Sequence, residues 1–210
     1  LLLVFTSIAC AAAGIGLYAI ARHRLVDTWW SVIPAAAFLM SPIVHDANLY
    51  DFHIITVATA LLVWTFWAFD TGRYRLAWAL FILALLCNED VALVTTMFGL
   101  YLALYGSRRK GLLIMGLSLS YFILVVYVAV PLCNEGLGPS KLEGYANRYS
   151  WLGSNPTDIF ISLFERPIAA IKHIMQPDRL RLPLYLLISG GIAGLSAWPV
   201  LLISLPQIMA

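Results

Sequence analysis

The sequence predicts an all-α protein, a polytopic bundle of transmembrane helices. Of its 210 residues, 61% are hydrophobic and only 11% are charged, whereas soluble domains carry about 25% charged residues. The mean hydropathy is +0.86. A soluble domain of this size could not bury so many apolar side chains, so membrane lipid is the expected partner. The net charge of +2 is small, and nucleic acid is therefore not an expected partner.

Five apolar stretches predict the membrane segments of the first 131 residues, because a spanning helix needs about 20 mostly apolar residues. In chain order they are 1–20, 28–44 (short, with Pro34), 52–69, 76–105 and 111–131. The fourth stretch is interrupted once, by Asn88-Glu89-Asp90. We therefore expect a transmembrane bundle over residues 1–131.

The rest of the chain predicts one long polar loop and one more membrane segment. Residues 132–181 are the longest polar region, and Asn155-Pro156 in it is typical of a helix start. We expect that helix, with Pro167 inside it, to lie on the membrane surface. Residues 182–210 contain the final apolar stretch, 182–205. The sequence opens and closes in apolar residues, which indicates a segment of a longer chain.

The positions of the basic residues favour two short helices, 76–88 and 91–105, over one continuous helix 76–105. Short loops rich in Lys and Arg tend to be cytoplasmic. With a hairpin around 88–90, all three basic clusters of the bundle fall on the cytoplasmic side: Arg22 with Arg24, Arg73 with Arg75, and Arg108-Arg109-Lys110. The polar stretches 45–53 and 88–90 and the loop 132–181 then lie together outside the cytoplasm. This topology gives about seven membrane segments in the cell membrane.

The stretch 45–53 is the first candidate site. His45, Asp46, Asp51 and His53 supply two imidazoles and two carboxylates, which can bind a divalent metal such as Mg²⁺ or Mn²⁺ or act as a general base. The metal prediction rests chiefly on His45 and Asp46. The alternative is a solvated loop in which Asp51 caps a helix starting at Phe52.

The triplet Asn88-Glu89-Asp90 is the second candidate site. Ionisable residues inside a long apolar stretch are costly to bury in a membrane and are functional candidates by default. The alternative is a hairpin tip at the interface, with Glu89 or Asp90 capping the helix that follows.

The loop stretch 147–151 is the third candidate site. Arg148 can hold a phosphate group with two hydrogen bonds, and Tyr149 and Trp151 can stack on a sugar. The alternative is an aromatic belt with an interfacial arginine.

Several short motifs follow one another along the chain. They are LYAIARHRL, Ser41-Pro42, Asp51-Phe52-His53, Asn88-Glu89-Asp90, Pro131, Arg148-Tyr149, Leu152-Gly153, Pro167 and Leu205-Pro206. Their order resembles that of a family of predicted multi-pass membrane proteins of unknown function from bacteria and archaea, a family grouped with the GT-C glycosyltransferase superfamily. Asn88 stands where that family usually has a lysine, so no role for a basic residue is carried over to it.

The resemblance implies a GT-C-like bundle, with some helices short, under an outward-facing cavity. It further implies transfer of a sugar from a polyprenyl-phosphate donor to an acceptor on the outer face. The main catalytic acid of such enzymes follows the first membrane helix, which places it before residue 1 here. Asp51, His53, Glu89 and Asp90 would then line the cavity and orient the acceptor or a metal.

Two other classes of function are compatible with the sequence. A transporter or channel could use the break at 88–90 as its binding site, since interrupted helices often mark such sites. A non-catalytic membrane scaffold would need the polar residues only as caps and interface anchors.

Overall fold

The computed structural model describes residues 2–25, 29–49, 52–129 and 132, and all secondary structure in these ranges is helical. Seven α-helices follow one another, the last continuing as a π-helical turn over Val125–Ala129. They are α1 (Leu2–Arg24), α2 (Val32–Leu39), α3 (Pro42–Leu49), α4 (Ile54–Asp70), α5 (Tyr74–Cys87), α6 (Glu89–Tyr105) and α7 (Arg108–Leu124). The predicted all-α class is confirmed for this part of the chain.

Two of the described helices are long and apolar enough to cross a membrane, Leu2–Arg24 and Arg108–Ala129. A third candidate arises if α2 and α3, bent by 51° at their junction, form one broken span. The helices α4 and α5 are apolar but have only 17 and 14 residues. The full set of about seven membrane segments stays a prediction, and the loop 132–181 and the segment 182–210 lie almost wholly outside the described residues.

The predicted membrane segment over 28–44 is not one continuous helix, because the chain forms two helices there, which together are a candidate broken span. The helix α2 ends at Leu39, and α3 starts at Pro42. Proline has no amide hydrogen for a preceding turn but fits the first position of a new helix. Pro34 lies in the first turn of α2, where it interrupts no hydrogen bond and causes no kink.

The expected loop between His45 and Leu49 is also a helix. The carbonyl oxygen of Ser41 accepts hydrogen bonds from the amides of Val44 and His45, at 3.0 and 3.1 Å. These bonds close the first turn of α3, and the helix then continues to Leu49. His45 and Asp46 are therefore helical residues, and they are not in a solvated loop.

The described residues form two compact units. Those up to Val91 belong to the first unit, and those from Ala92 onward belong to the second. In the first unit, α4 lies between α1 and α5. One face of α4 packs Ala60 against Ala9 and Ala13 of α1. Another face packs Ala58 against Ala84 of α5, together with Val91. Such small side chains allow helices to approach closely in a membrane.

The turn from α4 to α5 has a conformation that only glycine adopts easily. Gly72 has φ +75°. The amide of Arg73 donates to the carbonyl oxygen of Ala68 at 2.8 Å, and that of Gly72 donates to Phe69 at 3.2 Å. This pair of bonds is the Schellman motif of helix C-termini. It reverses the chain, so that α5 runs back along α4.

In the second unit, α6 and α7 contact each other through their backbones. A Cβ atom added to Gly99 would lie 2.5 Å from the Met115 nitrogen, and one added to Gly111 would lie 2.6 Å from the Gly99 oxygen and 2.7 Å from the Ala103 Cα. Gly99 therefore faces Met115 while Gly111 faces Ala103, which makes the two helices antiparallel. Ile114 and Ser118 continue the buried stripe of α7.

Candidate functional site

The two ends of the first unit are defined by contacts between α1 and α4. At one end, Arg24 of α1 contacts Asp70 of α4. At the other end, the rings of Phe5 and Phe52 lie 6.1 Å apart. The helices α1 and α4 are therefore parallel, and their first residues lie at the same end.

Three further segments reach that same end. Asn48 of α3 accepts a hydrogen bond from the Ser7 hydroxyl, near the start of α1, at 2.9 Å. Because α5 runs back along α4, its last residue, Cys87, and the start of α6 also lie beside the start of α4, where Cys87 and Val91 pack with Ala58. We call this end, with residues 45–49, 52–53 and 88–90, the polar end.

The sequence predicted that the stretches 45–53 and 88–90 share one side of the membrane, and both reach the polar end. His45, Asp46 and His53 are exposed there, whereas Glu89 and Asp90 are half-buried. Neither stretch contains Lys or Arg. The polar end therefore combines carboxyl and imidazole side chains, and neither stretch adds a lysine or an arginine to it.

The break between α5 and α6 is at Asn88, as the sequence predicted. Asn88 has an extended backbone (φ −159°, ψ 146°). Its side-chain oxygen accepts a hydrogen bond from the amide of Asp90 at 2.9 Å, and its carbonyl oxygen accepts one from Val91 at 3.2 Å. Asn88 is thus the N-cap of α6. The expectation that Glu89 or Asp90 caps the helix is wrong, because Asn88 directly precedes the helix and its side chain already bonds the Asp90 amide.

The start of α6 determines where Glu89 and Asp90 lie. Both are in the first turn of α6, and both are half-buried. The two side chains are thus presented from a fixed helical turn at the polar end.

His53 occupies the N-cap position of α4. Its backbone is extended (φ −117°, ψ 120°), its carbonyl oxygen accepts the amide of Thr56 at 3.0 Å, and its side chain makes no capping hydrogen bond. The helix starts at Ile54, so the expectation of a helix starting at Phe52 with Asp51 as its cap is wrong. Asp51 itself lies outside the described residues.

The metal site predicted at His45 and Asp46 stays a prediction, and the described residues add no third ligand to the pair. The two residues are consecutive on α3, and consecutive helical residues point in different directions. Among the residues that the structure describes, no three His, Cys, Asp or Glu side chains are grouped as metal ligands. Asp51 falls outside this set, and so do Arg148, Tyr149 and Trp151 of the third candidate site.

The opposite end of the first unit is basic, and we call it the basic end. Arg24 donates from Nε and Nη2 to the two carboxylate oxygens of Asp70, at 3.0 and 2.7 Å. The hydrogen bond from Arg24 lowers the pKa of Asp70, partial burial opposes this, and the charges of Arg24 and His23 add to the lowering. The Arg24 guanidinium also lies 5.1 Å from the centre of the Phe66 ring.

This ion pair was missed from the sequence, although both basic clusters that flank it were found. It confirms that Arg22 with Arg24 and Arg73 with Arg75 lie at the same end of the unit, as the charge pattern predicted. The sequence contained one signal for this ion pair, because Asp70 follows an apolar stretch and lies next to basic residues. Its partner is 46 positions away, and periodicity does not reveal contacts at that separation.

Comparison with known proteins identifies a family but no activity. A family model described as "Predicted membrane protein (DUF2079)" matches residues 1–210. No curated protein and no solved structure matches the chain. The resemblance to a family of predicted membrane proteins of unknown function is thus confirmed, whereas its grouping with the GT-C superfamily stays a prediction.

Proposed function

The chain belongs to the DUF2079 family of predicted membrane proteins, and from that premise we propose that it is a glycosyltransferase-like membrane protein. It would move a sugar from a polyprenyl-phosphate donor to an acceptor at the outer face of the cell membrane. One observation carries this proposal: the ionisable side chains of α3, of the start of α4 and of the start of α6 are gathered at one end of the first unit. Arginines gather at the other end.

The polar end offers groups that can orient the acceptor in such a transfer. An acceptor hydroxyl attacks the anomeric carbon of the sugar, and the bond from that carbon to the phosphate oxygen breaks. The hydroxyl proton passes to a carboxylate in hydrogen-bond reach, which the family resemblance places before residue 1. Asp51, His53, Glu89 and Asp90 are the proposed groups that line the cavity and orient the acceptor hydroxyl. The polyprenyl phosphate leaves with the bonding electron pair.

The donor chemistry explains why the site should lie at the end of a bundle. A polyprenyl tail stays in the lipid while its phosphate lies at the membrane surface, so the reaction has to occur at the same level. The charge on the leaving phosphate has to be neutralised. Arg148 is the proposed group for this, and Tyr149 is proposed to stack on the sugar.

A divalent metal, Mg²⁺ or Mn²⁺, is a further proposal for the polar end. The described residues do not form a complete ligand set by themselves. The steps above are accordingly assigned to protein side chains alone.

Transfer assays on the full-length protein in nanodiscs would test the proposal. With a panel of polyprenyl-phosphate sugars, we expect release of polyprenyl phosphate, and about a 100-fold loss of rate in Glu89→Gln or Asp90→Asn if that group orients the acceptor hydroxyl. Asp70→Asn is the control, since it removes a carboxylate from the basic end. Absence of binding and of transfer for every donor, by protein that is shown to be folded, would refute the proposal.

The two helix breaks favour a transporter as the second candidate. The chain is broken at Asn88, and α2 and α3 meet at 51°. Broken helices often surround binding sites in transporters. Under this alternative, Glu89→Gln should change solute uptake in proteoliposomes, while no donor should be consumed.

A further inference from the structure

The basic end of the first unit is a cluster of exposed arginines at the level where three helices end or begin. The helix α1 ends at Arg24, α4 ends at Asp70 and α5 begins at Tyr74. Arg22, Arg73 and Arg75 are exposed there. Among the described residues, Asp70 forms its ion pair with Arg24, and Arg22, Arg73 and Arg75 add positive charge at the same level of the unit.

Arg24 and Arg73 of this cluster are held in place by neighbouring side chains. Arg24, 53% exposed, is fixed by its two hydrogen bonds to Asp70, which is 19% exposed. The Arg73 guanidinium lies 4.7 Å from the centre of the Trp67 ring. Contacts of this kind orient a guanidinium, because the ring face attracts the cation. The cluster is thus partly ordered by the fold.

Exposed tryptophans lie near the same level. Trp29 and Trp30 are 86% and 63% exposed. Trp29 is four residues after Leu25, which directly follows α1, and four residues span at most about 14 Å. Exposed tryptophan is favoured at the headgroup level of a membrane, where its ring is in apolar surroundings and its N–H reaches water.

We propose that the basic end binds the headgroups of anionic phospholipids in the membrane leaflet that it faces. Arg22, Arg73 and Arg75 meet the lipid phosphates, and Trp29 and Trp30 lie at the level of the glycerol groups. Arginine suits this role because its planar guanidinium donates two parallel hydrogen bonds to a phosphate. The proposal is independent of sugar transfer, which concerns the opposite end of the unit.

A lipid explains this arrangement better than a free anion does. A free phosphate needs only donors and charge. Here the arginines adjoin a large exposed apolar surface, which includes Leu25 and Leu76 as well as the two tryptophans. An acyl chain covers such a surface, and its phosphate meets the arginines.

The test is a titration of the full-length protein, purified in a zwitterionic detergent, with short-chain lipids. Native mass spectrometry counts bound dioctanoyl phosphatidylglycerol, with dioctanoyl phosphatidylcholine and inorganic phosphate as competing probes. The variant Arg22→Gln with Arg75→Gln leaves the Arg24–Asp70 and Arg73–Trp67 contacts intact. At about fivefold for each of the two arginines, phosphatidylglycerol binding should weaken about 25-fold, while phosphatidylcholine binding stays unchanged.

Two further variants make the outcome decisive. Arg109→Gln removes an exposed arginine from the second unit and should leave binding intact, whereas Arg22→Lys with Arg75→Lys keeps the charge and should keep most of the binding. Equal weakening by Arg109→Gln would show diffuse attraction to the whole protein and overturn the proposal. Equally tight phosphatidylcholine, or full competition by inorganic phosphate, would overturn it too.

Discussion

Replacing Gly111 by alanine should separate α6 from α7. The added Cβ would lie 2.6 Å from the Gly99 oxygen and 2.7 Å from the Ala103 Cα, whereas ordinary contacts begin at 3.4 Å. All of these neighbours are backbone atoms, so no side-chain rotation relieves the overlap. The two helices must instead move apart by at least about 0.8 Å, the difference between 2.6 and 3.4 Å, because the Ala103 nitrogen would lie closer still to the added Cβ.

We expect this movement to lower the free energy of unfolding of the α6–α7 pair by about 1 to 3 kcal/mol, the usual cost of overpacking. Alanine offsets part of that cost, because it favours a helix by up to about 1 kcal/mol over glycine. Gly116→Ala, in the same helix, is the matched control, since its added Cβ would meet nothing within 4 Å. It should leave the protein as stable as the wild type or slightly more stable.

Thermal unfolding in detergent, followed by the fluorescence of a thiol-reactive or environment-sensitive dye, would compare the two variants. Gly99→Ala provides a second measurement at the same interface, because its Cβ would lie 2.5 Å from the Met115 nitrogen. In the double variant the second alanine should cost less than it does alone, since the helices are already apart. If Gly111→Ala unfolds at the temperature of Gly116→Ala, the close backbone contact does not exist and the reasoning fails.

Three other predictions concern the first unit. Asp70→Asn should cost about 1 kcal/mol of stability, because Arg24 is half-exposed and solvent screens the pair. Because the pKa of Asp70 is lowered from its ordinary value of 3.8, the pair with Arg24 stabilises the protein above about pH 3.8 and loses this effect as the pH falls further. The melting temperatures at pH 7 and pH 3 should therefore differ less in the variant than in the wild type. Trp64→Phe removes the indole donor that bonds the Ala12 carbonyl at 3.0 Å, and calorimetry should show a loss of about 1 kcal/mol. Asn88→Ala should cost about 1 kcal/mol and increase hydrogen exchange at the start of α6, whereas Asn88→Ser should retain most of the cap; equal exchange in both would contradict the capping role.

Tolerance of substitutions at the polar end would favour the scaffold alternative. If His53→Ala and Glu89→Gln leave every measured activity intact, the polar residues serve only as caps and anchors. The predictions on Gly111, Trp64 and Asn88 would still stand, since they concern packing and capping.

Local chemistry made much of the helical framework predictable. The predicted helices 1–20, 52–69 and 111–131 differ by a few residues at their ends from α1, from α4, and from α7 with its π-helical turn. Asn88 was predictable as a break because two acids follow it in an apolar stretch. The bend at Ser41-Pro42 inside the predicted segment 28–44 was not predicted, because hydropathy measures the polarity of a stretch and does not detect a bend in it.

The candidate site was predictable only as a set of residue types. The sequence indicated that 45–53 and 88–90 belong together, from charge alone. It did not indicate that His45 and Asp46 are on a helix, or that Asn88 rather than Glu89 caps α6. Those details depend on which donor reaches which acceptor, and local composition does not determine that.

The sequence by itself determined that this is a helical membrane protein, where most of its helices lie, and how its charges divide between the two ends of the first unit. Helix formation and transfer into lipid depend on hydrogen bonds four residues apart and on the polarity of each segment, and both can be read locally. Only the tertiary structure decided that Arg24 pairs with Asp70, that Trp64 bonds to Ala12, and that Gly99 and Gly111 bring two backbones together. These contacts join residues distant in the chain, and their partners are set by the packing of whole helices.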